Sequence, residues 1–142
     1  MNYNLDRFIQ AQGHSYETAL SEIKNGFKRT HWMWYIFPQL KELGRSSTAK
    51  YYGIEDLEEA KMYLAHPVLG TRLKEISEAL LKLETNDPYR VMGDIDGLKL
   101  CSSMTLFAEV EGYDSVFGKV IDKYYNGNKD MNTIHILDCR LT

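Results

Sequence analysis

Cysteine is scarce. Cys101 and Cys139 are the only two in 142 residues, too few for a disulfide framework. Long apolar runs are missing as well. The longest, Trp32 to Phe37, falls far short of the roughly 20 residues that span a bilayer. Neither sign of charge dominates: 17 Lys+Arg stand against 20 Asp+Glu, a formal net charge of −3. That is a poor electrostatic footprint for nucleic acid or an anionic membrane. The first residues, Met1 to Asp6, carry neither a basic n-region nor an apolar h-region. Residue 2 is Asn, and Arg140 breaks the aliphatic pattern of a prenylation box. These absences predict a reduced, cytoplasmic protein with no secretory signal, membrane attachment or nucleic-acid partner.

What is present suits a packed core. Hydrophobic residues make up 44% and charged residues 26%, and the length fits a single domain over residues 1–142. The 10 tyrosines suit a core edged with polar contacts, or a cleft, because Tyr buries its ring and keeps its hydroxyl wet or bonded. There is no internal repeat, low-complexity stretch or charge block.

The segments mostly carry the helical period. Leu5, Phe8, Ile9 and Ala11 predict a short helix capped by Asn4 and ended near Gly13. A second runs from Ser15 with Ala19, Leu20 and Ile23 inward, stopped by Gly26. Leu57, Ala60 and Leu64 form one stripe. His66-Pro67 breaks that helix, and Pro67 opens the next. There Leu69, Leu73, Ile76, Leu80 and Leu83 alternate steps of four and three. Asp87-Pro88 repeats the cap-plus-Pro start, and Val116 to Tyr124 predicts a helix stopped by Asn126-Gly127. A last short helix is expected over Thr133 to Asp138. Periodicity does not decide Trp32 to Phe37, which reads as a buried strand or a buried helix. Thr30 as a cap and Pro38 as a stop favour the helix. Leu98 to Phe107 reads as a central buried helix. The sum is an all-α domain of about seven short helices.

Several chemistries are excluded. His14, His31, His66 and His135 never stand three or four residues apart, and no Cys-x-x-Cys occurs, so no metal site is expected. Cys101 lies in an apolar segment, where a thiol is inert. There is no Gly-x-Gly-x-x-Gly, no Walker loop and no Gly-x-Ser-x-Gly elbow, and no cofactor is implied.

Three constellations stay open between a structural and a functional role. Lys99, Ser102 and Ser103 share one helix face. They are either hydroxyls bonded back to the helix with a snorkelling Lys, or a polar stripe lining a cleft. Gly44-Arg45-Ser46-Ser47 feeds a helix start. It is either an ordinary Ser cap with a surface Arg, or an anion nest. Lys28, Arg29 and His31 lead into Trp32 and Trp34. Those rings are either core or one wall of a site for a planar, negatively charged ligand. On a helix the two indoles point in different directions, so at most one faces a cleft.

Four blocks carry a family resemblance. They are Lys28-Arg29-Thr30-His31-Trp32-Met33-Trp34-Tyr35-Ile36-Phe37-Pro38-Gln39-Leu40, Gly44-Arg45-Ser46 through Tyr52-Gly53-Ile54, Tyr63 through Gly70, and Asp96 through Phe107. In content and order they resemble the bacterial family catalogued as domain of unknown function 1810. Some members of that family are labelled calpastatin, a name for largely disordered inhibitors that the core pattern here does not suit. The resemblance implies a single all-helical domain and brings no reaction and no cofactor.

The expectation is therefore a polar cleft walled by the His31–Gln39, Arg45–Tyr52 and Lys99–Thr105 blocks, binding a small anionic ligand, nucleotide-like ligands included. Arg45 and the N–H groups near Ser46 and Ser47 would hold the anion, and Trp32 or Trp34 would stack on a ring. Gln39, Tyr52, Lys99, Ser102 and Ser103 would complete the lining. One alternative is an enzyme on such a ligand with His31 or His66 as general base. Another is a protein-interaction module with no small ligand.

Overall fold

The computed structural model describes residues 3–141. The terminal readings that rest on Met1, Asn2 and Thr142 lie outside that range. The first helix, α1 (Asp6–Lys24), is one element and not two. It passes straight through Gly13, which has open space around it. A mid-helix glycine costs about 1 kcal/mol relative to alanine. The inward face Phe8, Gln12, Tyr16, Ala19, Leu20 and Ile23 is continuous across it, and α1 packs on the second and fifth helices, which outweighs that cost. Asn4 does not cap α1; the preceding residue is Leu5, with no side-chain cap. Gly26 ends the region at φ +80°, in the left-handed conformation expected of it.

The ambiguous aromatic run is helical only over α2 (Met33–Ile36), and Trp32 occupies its N-cap position. Thr30 is drawn off that duty, because its hydroxyl donates to Glu22 Oε2 at 2.7 Å. After α2 the chain makes an excursion through a 3-10 turn at Lys41–Leu43 and α3 (Ser47–Tyr51). A parallel bridge between Leu40 and Ile54 closes it. Its two hydrogen bonds run from Lys41 N to Ile54 O at 2.8 Å and from Ile54 N to Gln39 O at 2.9 Å.

A buried ion pair ties the excursion to the bundle. Arg7 Nη1 lies 3.0 Å from Glu59 Oε2, and both side chains are buried. The same guanidinium donates to the carbonyls of Tyr51 at 2.8 Å and Gly53 at 2.9 Å. A buried charge is tolerated when it is paired and hydrogen-bonded in this way.

The remaining helices follow their start and stop signals. Asp56 accepts the Glu59 N–H and opens α4 (Leu57–Ala65). His66-Pro67 separates it from α5 (Leu69–Leu81), which buries Leu69, Leu73, Ile76 and Leu80; Leu83 falls just beyond its end. Asp87 accepts from Tyr89 N and Arg90 N to start α6 (Pro88–Met92). The central element is α7 (Asp94–Glu111), packed on α4 and α6 and on the two helices that follow it. Those are α8 (Val116–Tyr125), stopped by Asn126 at φ 55°, and α9 (Met131–Leu141), longer than the expected Thr133 to Asp138. The fold is all-α, with nine α-helices and no strand among the described residues, against about seven expected. Three of the nine, α2, α3 and α6, are five residues or shorter. Among the described residues no helix is long and apolar enough to cross a membrane.

Candidate functional site

Lys99 stands on the second turn of α7, and Trp34 on α2 faces it. A hollow of about 430 Å³ opens between them, lined by Lys28, His31, Trp34, Lys99 and the first turn of α7. On the other side of Trp34 and Lys99 runs a narrow crevice bordered by Gln39, Ala49, Tyr52 and Gly53. A third hollow, also about 430 Å³, adjoins Lys99 on the side of Gln39, Leu98 and Ser102. Lys99 therefore borders all three.

The wall carrying His31 and Trp34 is set by Glu22 of α1. Its Oε1 accepts the backbone N–H groups of Arg29 and Thr30 at 2.7 and 3.0 Å and the Trp32 indole N–H at 2.9 Å. Its Oε2 accepts the Thr30 hydroxyl. Burial alone would raise the pKa of this carboxylate; the donors from Arg29, Thr30 and Trp32 outweigh it and hold the pKa at about 2. The loop is pinned from the other side by Lys28 N donating to Val91 O at 2.8 Å.

The cations differ in how fully they are engaged. Lys28 Nζ lies 2.9 Å from Asp96 Oδ2 and 4.8 Å from the centre of the Trp32 ring, and it donates to Thr30 O. Lys99 Nζ is 3.9 Å from Asp96 Oδ1, a charge contact beyond hydrogen-bond length, and its side chain is 29% exposed. No hydrogen-bond acceptor reaches it among the described residues. Asp94 and Asp96 stand against Lys28 and Lys99 in the first hollow, so these four formal charges cancel. Lys99 is the cation left with donors to spare.

The expected site residues thus divide. His31, Trp34, Gln39, Tyr52, Lys99 and Ser102 come together around the three adjoining hollows. Trp32 does not; it is buried in the core with its N–H on Glu22. Ser103 is fully buried and borders none of the three hollows, and its Oγ has no hydrogen-bond partner. Arg45, Ser46 and Ser47 are exposed at the start of α3, also outside the three hollows, where Ser46 Oγ accepts the Ala49 N–H at 3.1 Å. His66 Nδ1 accepts the N–H groups of Val68 at 3.1 Å and Leu69 at 3.3 Å, so it serves the start of α5. Ser102 borders the third hollow, but its hydroxyl donates to Asp130 Oδ2 at 3.0 Å. That same oxygen receives the Thr133 N–H and hydroxyl at the start of α9. Burial pushes the Cys101 thiol up to about 11, which leaves it a poor nucleophile.

Two contributors escape the sequence reading. Glu22 lies seven residues or more from the groups it holds, so only the fold reveals it. Asp96 stands three residues before Lys99, and that helical spacing is the local signal that marks it.

A solved structure similar to this chain is the crystal structure of the conserved hypothetical protein Rv1873 from Mycobacterium tuberculosis. It is 43% identical, with a TM-score of 0.93 over 96% of this chain and 97% of that one. A comparison with curated proteins finds no match. The chain matches the family described as Protein of unknown function (DUF1810) over residues 2–137, nearly its whole length, and so belongs to that family.

Proposed function

We propose that the hollow between α2 and the start of α7 binds a small anionic ligand with a planar ring, nucleotide-like ligands included. The observation that carries this reading is Lys99: it borders all three hollows, its side chain is 29% exposed, and its ammonium has only the Asp96 charge contact at 3.9 Å and no hydrogen-bond acceptor among the described residues. An ammonium with its donors uncommitted can give them to an anion that enters the hollow. Trp34 lies beside it on both sides of the ridge, and an indole offers a flat face to a ring. In this reading the anion contact belongs to Lys99 rather than to Arg45. Cys101 and Cys139 are not in a disulfide, which supports a reducing, cytoplasmic setting.

A thermal-shift screen against nucleotides, phosphosugars and small carboxylates tests the reading. Saturation at 100 times Kd stabilises a protein by about 2.7 kcal/mol. Lys99→Ala should abolish the shift, and Arg45→Ala should keep it. A screen in which no anion raises the midpoint, or a Lys99→Ala protein that binds as well as the parent, rejects it.

A second reading is that the ligand is also turned over, with His31 as general base. It is favoured by the position of His31 on the wall of the same hollow, exposed to it. Loss of turnover in His31→Gln with ligand affinity retained would establish it.

A further inference from the structure

The third hollow has a rim of exposed apolar side chains. Ile95, Leu98 and Met131 on its rim are 70, 61 and 61% exposed, and Tyr89 is 41% exposed. Single exposed apolar residues are ordinary, but several gathered round one concavity mark a binding surface. Of the polar groups there, Ser102 and Asp130 bond each other, while Gln39, Lys129 and Asn132 also border the hollow. The hollow adjoins the anion site, since Ile95 and Lys99 border both. Its volume of about 430 Å³ lies within the roughly 300–1,000 Å³ of small-molecule sites.

We infer that this hollow receives the apolar part of the ligand whose anionic group is held at Lys99. The ligand class is then an amphiphilic anion: a phosphate or carboxylate bearing an alkyl or aryl group that lies across Ile95 and Leu98 toward Met131. The inference rests on the anion reading above. The pairing of surfaces argues for this occupant. A purely apolar partner would cover the rim and leave the Lys99 ammonium only its 3.9 Å contact with Asp96, whereas a purely ionic ligand would leave the apolar rim in water. A molecule carrying both groups satisfies both surfaces.

The test is a calorimetric titration with inorganic phosphate and n-alkyl phosphates from methyl to octyl, below micelle-forming concentrations, with the matching carboxylates as a second arm. Affinity should rise by about twofold to fourfold per added methylene, the upper value being full burial of each. Whichever arm binds tighter identifies the head group. Lys99→Ala should weaken every member. In Leu98→Gln, whose position is exposed enough to fold normally, methyl and octyl members should bind within about twofold of each other. If short anions bind and chain length has no effect, the inference fails and the anion reading stands. If no member of either series binds, the inference fails, and the thermal-shift screen with ring-bearing anions decides the anion reading separately. A concentration-dependent dimer that Leu98→Gln dissolves would assign the apolar rim to a second copy of the chain and overturn the inference.

Discussion

The carboxylate of Glu22 and the indole of Trp32 meet at 2.9 Å across the start of α2, and this contact orients the loop that carries His31 and Trp34. The same carboxylate takes three further donors from Arg29 and Thr30. Hydrogen bonds to a charged group are worth about 1.5–3 kcal/mol each in favourable cases.

Glu22→Gln should therefore destabilise the protein by about 1–3 kcal/mol, read from urea midpoints at pH 7. The pH dependence has a definite sign. The folded pKa, about 2, lies below the ordinary value of 4.5. The stabilisation is thus complete above about pH 4.5 and is lost as pH falls toward 2. The gap between parent and variant should close over that window; a gap that stays constant down to pH 2 would show that the carboxylate's charge is not what holds the loop.

Two glycines should respond in opposite directions. Gly13 lies exposed in mid-helix with open space around it, so Gly13→Ala should raise stability by about 0.5–1 kcal/mol. A Cβ on Gly118 would sit 1.9 Å from the Tyr113 carbonyl oxygen. Gly118→Ala should cost at least the upper part of the about 1–3 kcal/mol typical of overpacking. Thermal midpoints of the two variants check both signs.

Neighbouring serines of α7 should also diverge. The Ser103 hydroxyl is buried with no partner, so Ser103→Ala should be neutral or stabilising by up to about 1 kcal/mol. Ser102→Ala removes a donor from Asp130 and should cost about 1–2 kcal/mol. Equal losses in the two variants would contradict the hydrogen bonding described.

Cys101, with its thiol pushed up to about 11 by burial, should be alkylated by iodoacetamide at pH 7.5 at least roughly tenfold more slowly in the native than in the urea-unfolded protein. Mass-spectrometric peptide mapping separates it from the exposed Cys139. Equal native and unfolded rates would show an open, ordinary thiol.

Residue pattern by itself determined the helical architecture. The 4-3 spacing of Leu69, Leu73, Ile76 and Leu80, the Asp87-Pro88 start and the Asn126-Gly127 stop are local signals, each satisfied within a turn or two of backbone. Local signals also misled: Gly13 and Ser15 suggested a break that α1 does not have, because packing along its whole buried face outweighs one residue's propensity. Which polar residues share a hollow was decided only by tertiary structure. Lys99 and Trp34 are 65 positions apart and meet, while Ser103, one helix turn from Lys99, is sealed in the core. Trp32, two residues from Trp34, is turned inward by Glu22. Helical periodicity says which residues share a face. What that face meets depends on contacts between distant segments, and no spacing along the chain encodes those directly.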